Sequence, residues 1–165
     1  MEVSALASMM AMPREGHLER LFHMFVFLKS KHNGVMVFDP TEPDIDKSCF
    51  VREDWSAAAY GECTEELPPN MTEARGVGMT MRAFVDSEHA GDITMRRSRT
   101  GFNIFLNSAP IYWFSKKQTS VETSSFRAEF VAMKICCECI RGLRYKLRMM
   151  GISIGAPAFV FGDNC

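Results

Sequence analysis

The chain has 165 residues, of which 47% are hydrophobic and 24% charged, a composition that fits one globular domain with appended segments. No stretch approaches the roughly 18 apolar residues that a membrane-spanning helix needs, and the N-terminus lacks a secretory pattern. These features argue against an integral membrane protein and a secreted protein, so we expect a cytoplasmic or nuclear chain.

The net charge of −1 conceals an uneven distribution. Residues 39–66 carry nine acidic and two basic side chains, a local charge of −7, which leaves +6 for the rest of the chain. A mildly basic body of this kind can bind a polyanion.

The six cysteines do not fall at zinc-finger spacings. Cys136, Cys137 and Cys139 are close in sequence, but neighbours on a helix point about 100° apart and cannot bind one ion together. We therefore expect free thiols, without a disulfide framework.

The N-terminal region, residues 1–38, predicts a helix and a short strand. Apolar residues recur at helical spacing over residues 13–31, and Asn33-Gly34 ends the pattern. Residues 35–38 then form an apolar run that predicts a strand. A helix and a strand alone do not make a domain, so we interpret this region as the end of a preceding one.

Residues 39–79 contain four prolines and most of the acidic charge. A segment with this composition cannot bury enough apolar surface to fold by itself. We interpret it as a tether, and we expect residues 41–76 to be poorly packed.

From residue 79 the pattern is typical of strands. Residues 79–86 alternate in polarity, and two further β-rich runs, 101–106 and 111–115, flank the turn 107–110. Three consecutive strands with short connections predict an antiparallel meander.

A long helix is predicted next, with Ser124 or Ser125 as its N-cap and Gly151 at its end. Residues 158–161 are entirely apolar, as in a buried central strand, and we expect this strand to lie parallel to the first. The predicted order is β-β-β-α-β. The helix positions expected to face the core are Phe126, Phe130, Met133, Cys137, Ile140, Leu143, Leu147 and Met150.

Three acidic residues fall where these elements begin or end. Asp86 closes the first strand, Glu129 lies at the end of the first helical turn if Ser125 is the N-cap, and Asp163 follows the last strand. A cluster of carboxylates needs cations, and hard divalent ions such as Mg²⁺ take oxygen ligands. Residue spacing alone leaves a second interpretation open, in which these side chains are solvated ends of elements. Glu88 and Asp92 are weaker candidate ligands.

Four motifs occur in order over residues 80–165: FVDSEHAGD, RRSRTGFNIFLNSAPIYWFSKKQTSVETSSFRAEFVAM, LRYKLRMMGI and FGDN. They resemble the ribonuclease H domain of copia-type retrotransposon polyproteins. PREGHLERLFHMFVFLKSK is similar to the segment that closes the reverse transcriptase part of the same polyproteins, and DWSAAAYGECTEELPPN is similar to the tether of some members.

This resemblance implies an α/β, ribonuclease H-like fold and a two-metal endonuclease for the RNA strand of RNA·DNA hybrids. By motif, Asp86 is the ligand shared by two Mg²⁺ ions, with Mn²⁺ as a substitute, and Glu129 and Asp163 are the other ligands. The implied partners are the hybrid and the reverse transcriptase portion, and the implied location is a cytoplasmic virus-like particle or the nucleus.

Five basic residues cluster after the first strand and at the end of the third. In a hybrid-binding protein they contact phosphates and position the duplex without reading its sequence. The alternative is a solvated basic edge. The residues are Arg96, Arg97, Arg99, Lys116 and Lys117.

The family motif after the fourth strand usually reads DNQ, whereas this chain ends at Asp163-Asn164-Cys165. We therefore expect a C-terminally truncated domain that lacks a further acidic ligand, binds metal weakly and cleaves slowly. A catalytically inactive nucleic-acid-binding remnant, or a pseudogene product, is the alternative.

Overall fold

The computed structural model describes residues 1–50, 53–59, 61, 64–92 and 94–163, with the side chain of Cys49 outside the description. The predicted free thiols Cys63 and Cys165 also lie outside the described residues. In chain order the elements are α1 (Glu2–Ala7), α2 (Glu15–Ser30), a short 3₁₀ helix (Lys47–Cys49), β1 (Met81–Glu88), β2 (Arg99–Leu106), β3 (Ala109–Lys117), α3 (Ser125–Met149) and β4 (Phe159–Phe161).

The four strands form one mixed sheet in the order β3-β2-β1-β4. β1 pairs antiparallel with β2 and parallel with β4, and β2 pairs antiparallel with β3. The predicted meander, the long helix and the parallel last strand are confirmed. α2 confirms the helix predicted over residues 13–31.

The core lies between one face of this sheet and α3. Met81, Ala83 and Val85 of β1 are buried, as their alternation predicts, and they form one apolar cluster with Ala132 and Cys136 of α3. Burial raises the pKa of the Cys136 thiol to about 12. Because thiolates are the reactive form, Cys136 is an inert packing residue.

The face of α3 that contacts the sheet differs from the prediction. The exposed fractions of Phe126 and Phe130 are 73% and 64%, whereas Ala128, Ala132 and Cys136 are fully buried. These smaller side chains recur every four residues, which places them on one face. They let the helix approach the sheet closely, so the larger side chains point away from it. Ile140 is buried as predicted, and Leu143 and Leu147 are half-buried.

Two strand predictions need correction. Residues 35–38 form no strand, and their side chains are 57–82% exposed, because no other strand within the described residues pairs with them. β4 is not a central strand: it forms one edge of the described sheet, and its three residues are half-buried.

The β2–β3 turn holds two other parts of the chain through one side chain. Asn107 has a positive φ of 53°, a conformation that asparagine tolerates better than most residues. Its Oδ1 accepts from the Thr80 N–H at 2.8 Å, and its Nδ2 donates to the Pro40 carbonyl at 2.7 Å. The turn therefore holds the start of β1 and the start of the predicted tether.

The predicted tether also contacts α3 through Glu65. The Glu65 carboxylate accepts from Arg144 Nε at 2.8 Å and lies 2.7 Å from Arg148 Nη1. Both arginines are buried, and they also donate to the carbonyls of Ala156 and Ile154 in the α3–β4 connection. We call these three charged residues the Glu65 clamp. Most described residues of 41–76 are exposed, but the clamp attaches this segment to the sheet domain.

The division into residues 1–38, 39–79 and 80–165 stays a prediction. No helix in the described part of the chain is long and apolar enough to cross a membrane.

Replacing Glu65 by Gln should destabilise the fold by about 2–3 kcal/mol, because two buried guanidinium groups lose their counter-charge. The effect stays below that of a fully buried pair, since 32% of the Glu65 side chain is exposed. Urea unfolding measures it. Glu66→Gln, at the exposed neighbouring position, is the matched control, and equal stability of the two variants would contradict the role of the clamp.

The same clamp predicts a pH dependence. The hydrogen bond from Arg144 is the main reason that the pKa of Glu65 lies below its ordinary value of 4.5. A carboxyl with a lowered folded-state pKa stabilises the fold above its unfolded pKa, and this contribution is lost as the pH falls through the folded pKa. The stability gap between wild type and Glu65→Gln should therefore be full at pH 7 and shrink below about pH 4.5. A constant gap from pH 7 to pH 3 would contradict this.

Candidate functional site

The three predicted acidic residues line one cavity of about 160 Å³. Asp86 comes from β1, Glu129 from α3 and Asp163 from the second position after β4. The parallel register of β1 and β4 explains why Asp86 and Asp163 lie close together. Phe84 pairs with Phe161, so two further residues along each strand direction bring Asp163 level with Asp86. Parallel pairing therefore delivers both carboxylates to the same end of the sheet.

Glu129 reaches this cavity because α3 begins directly beside it. The Ser124 hydroxyl accepts from the Arg127 N–H, so Ser124 is the N-cap and Glu129 is the fifth helical residue. This position is one residue further along the helix than the prediction with Ser125 as the cap. Glu129 therefore lies just past the first helical turn, where the partial positive charge of the helix N-terminus has largely fallen off.

The donor atoms in the cavity suit a hard divalent cation, since carboxylate oxygens are the ligands that Mg²⁺ prefers. Within the described residues, however, no group of three or more His, Cys, Asp or Glu side chains is placed to hold a metal ion. The three carboxylates thus line one cavity but are not placed to coordinate one ion together in this conformation. Their role as ligands stays a prediction.

Apolar side chains form the rest of the cavity wall. Phe126, Phe130 and Met133 line it together with Val85. Sequence reasoning assigned the first three residues to the core and missed this role. The available signal was their position around Glu129, since Phe126 and Met133 lie three and four residues from it on the helix.

A second cavity, of about 280 Å³, lies on the other side of Asp86. Its lining includes Met1, Phe84, Gly101 and Asn103, so it opens on the face of the sheet opposite α3. Asp86 therefore stands between two cavities, one with acidic partners and one without.

The five predicted basic residues lie at the same end of the sheet but differ in accessibility. Lys116 pairs with Thr100, which pairs with Ser87, the residue after Asp86. Lys116 therefore lies across the sheet from the neighbour of Asp86. Arg96 and Lys116 are exposed and Arg97 is half-buried. Arg96 and Lys116 therefore remain available to a ligand.

The other two basic residues have protein partners. Lys117 Nζ lies 2.8 Å from Asp92 Oδ2, and this hydrogen bond is the main reason that the pKa of Asp92 lies below its ordinary value. Asp92 Oδ1 also accepts from the N–H groups of Thr94 and Met95, so Asp92 holds the β1–β2 loop. Arg99 is only 7% exposed. Its guanidinium binds residues of α1, where phosphate cannot reach it in this conformation.

Comparison with known proteins relates this chain to mobile genetic elements. Over 90 residues it is 30% identical to the retrovirus-related Pol polyproteins from transposons RE2 and RE1 of Arabidopsis thaliana. Over 57 residues, 34% of this chain and 24% of the relative, it is 40% identical to the uncharacterized mitochondrial protein AtMg00810 of the same plant. About half of this chain is homologous to transposon Pol polyproteins.

The 90 matched residues are 54% of this chain and 6% of each polyprotein. No protein-family model and no solved structure matches the chain. The homology therefore supports a relationship to retrotransposon polyproteins and leaves the activity of this part to be inferred from its own residues.

Gln118 fixes the beginning of α3 relative to the sheet, and sequence reasoning did not single it out. Its Nε2 donates to Thr100 Oγ1 at 3.0 Å and to the Ala128 carbonyl at 2.9 Å. Gln118 is 3% exposed. Because Ala128 precedes Glu129, this amide helps to set the position of the Glu129 carboxylate.

Gln118→Ala should destabilise the fold by about 1–3 kcal/mol, because it removes the donor to the buried Thr100 hydroxyl and the additional hydrogen bond that the Ala128 carbonyl accepts. Thermal or urea unfolding measures the change. Thr119→Ala alters the exposed neighbouring residue and should change stability by less than about 0.5 kcal/mol. Equal effects of the two substitutions would show that the Gln118 hydrogen bonds contribute nothing.

Proposed function

We propose that residues 80–165 form a ribonuclease H-like domain of a copia-type retrotransposon polyprotein, and that this domain hydrolyses the RNA strand of RNA·DNA hybrids with divalent metal ions. The observation that carries the proposal is the shared cavity of Asp86, Glu129 and Asp163, which come from three separate elements. The convergence of three carboxylates from separate elements on one cavity supports a common role for them.

The topology supports the proposal. An antiparallel meander followed by a helix and a strand parallel to the first is compatible with a ribonuclease H-like fold. The homology to transposon Pol polyproteins supports the proposed retrotransposon origin of the domain, since it covers about half of the chain. The reverse transcriptase portion of such a polyprotein is the partner that we propose for this domain.

Asp86, Glu129 and Asp163 would hold two Mg²⁺ or Mn²⁺ ions. When bound, these ions supply an activated water and stabilise the leaving oxygen in an in-line displacement. The task of the protein is to place the carboxylates and to keep the ions at one end of the sheet. β1 and the residues after β4 would present two of the ligands, and α3 would present the third.

The neighbouring side chains suit a nucleic acid. Lys116 and Arg96 are exposed at the end of the sheet that carries Asp86, and phosphate contacts from such residues would position a duplex. The exposed ring of Phe126 lines the acidic cavity and offers a stacking surface for a base or sugar. The domain thus combines a candidate catalytic cavity with a basic edge.

A second function, nucleic-acid binding without cleavage, rests on a different observation. In the part of the chain that the structure describes, no three metal-ligating side chains are placed to hold an ion. A domain that keeps the basic edge but cannot close its carboxylates around metal would bind hybrid and leave it intact.

A cleavage assay separates these functions. With an RNA·DNA hybrid and Mg²⁺, the wild-type chain should cut the RNA strand, and EDTA should stop the reaction. Asp86→Asn should slow cleavage by about 100-fold or more, because metal assistance is worth several kcal/mol. Asp44→Asn, at an exposed position in residues 39–79, is the matched control and should cleave like wild type.

The outcomes of this assay are distinct. Intact hybrid that still shifts in a gel with wild-type protein would favour the binding function. Cleavage that is equally fast with Asp86→Asn would exclude the carboxylate cavity as the active site.

A further inference from the structure

Residues 1–8, which comprise α1 and the residue on either side of it, lie on the end of the sheet that carries the candidate site. The Ser4 hydroxyl donates to the Ser115 carbonyl of β3 at 3.0 Å. The same hydroxyl accepts from Arg99 Nη1 at 2.6 Å, and Arg99 Nη2 lies 3.5 Å from Ser8 Oγ. We call residues 1–8 the α1 cover, because they enclose the Arg99 guanidinium.

The α1 cover also fills space beside Asp86. Met1 and Asp86 both line the 280 Å³ cavity on the sheet face opposite α3. Met1 lies directly over Gly101, the residue paired with Asp86: a Cβ on Gly101 would stand 2.9 Å from Met1 Cγ. A side chain at position 101 would therefore have to displace the flexible Met1 side chain.

The α1 cover reaches the basic loop as well. A small gap of about 30 Å³ separates Ala5 and Leu6 from Arg97 and Arg99. Two of the five predicted phosphate contacts therefore lie under or against residues 1–8. A duplex cannot reach Arg99 while the cover is closed.

Weak interactions hold the cover in place. None of the residues of α1 is buried. Its ion pair to α2, between Glu2 and Arg20, joins side chains that are about half exposed, and such pairs contribute little to stability. The hydroxyl contacts to Arg99 and Ser115 and the packing of the Met1 side chain over Gly101 also hold the cover to the sheet. An arginine binds phosphate through charge-assisted, often bidentate hydrogen bonds, which are stronger than its bonds to a neutral hydroxyl.

We propose that the α1 cover is an autoinhibitory segment that nucleic acid displaces, and that its departure frees Arg99 to bind a phosphate next to Asp86. This inference rests on the proposed function, since it concerns access to the same site. In the closed state Arg99 binds Ser4 and Ser8, whereas in the open state it binds the backbone of the hybrid. The apparent affinity for hybrid is then reduced by the fraction of molecules that are closed.

The test removes the two hydroxyls and leaves the backbone unchanged. Hybrid binding to wild type and to the Ser4→Ala, Ser8→Ala double variant is measured by fluorescence anisotropy in EDTA, so that no cleavage occurs. The double variant should bind about 5-fold more tightly or better, because more molecules are open. The dependence of log K on log salt should steepen by about 1, because one more phosphate contact is made.

Two further variants complete the test. Ser30→Ala removes an exposed hydroxyl that bonds only within α2, and it should bind hybrid like wild type. Arg99→Gln, added to the double variant, should cancel both the gain in affinity and the steeper salt slope. In wild type, amide hydrogen exchange of residues 1–8 should accelerate when hybrid is added.

Different results would contradict the α1 cover and the proposed function. Equal affinity and equal salt slope in wild type and the double variant, with unchanged exchange of residues 1–8, would overturn the cover and leave hybrid binding intact. Absence of hybrid binding by every variant would overturn the proposed function, and the cover with it, because nothing would then need access to Arg99.

Discussion

The burial of one face of β1 against α3 determines where the acidic side chains lie. Met81, Ala83 and Val85 face the helix, and strand residues alternate between faces, so a shift of one residue would expose all three. The parallel pairing of β1 with β4 then brings Asp163, two residues beyond the paired Phe161, level with Asp86. The site therefore depends on strand packing more than on the loops around it.

The same packing explains the apolar wall of the acidic cavity. α3 approaches the sheet through Ala128, Ala132 and Cys136, which leaves no space there for larger side chains. Phe126 and Phe130 are consequently placed on either side of Glu129, outside the core. A helix face that is unsuited to the core thus becomes part of the candidate site.

Local patterns in the sequence predicted the meander, the N-cap region of α3 and the three acidic positions, because alternation and capping depend on near neighbours. The inward face of α3 could not be chosen, since apolar residues recur at helical spacing on two of its faces. Partners distant in sequence were also inaccessible. Glu65 and Arg144 are 79 residues apart, and Ser4 and Arg99 are 95 apart, so only the folded chain shows these contacts.

We propose that Asp86, Glu129 and Asp163 bind divalent metal together. Titration with Mn²⁺, followed by electron paramagnetic resonance, tests it directly on the wild-type chain and on Asp86→Asn, Glu129→Gln and Asp163→Asn. Each substitution should weaken Mn²⁺ binding by about tenfold or more, because each removes a charged oxygen ligand. Wild-type affinity in all three variants would contradict the claim.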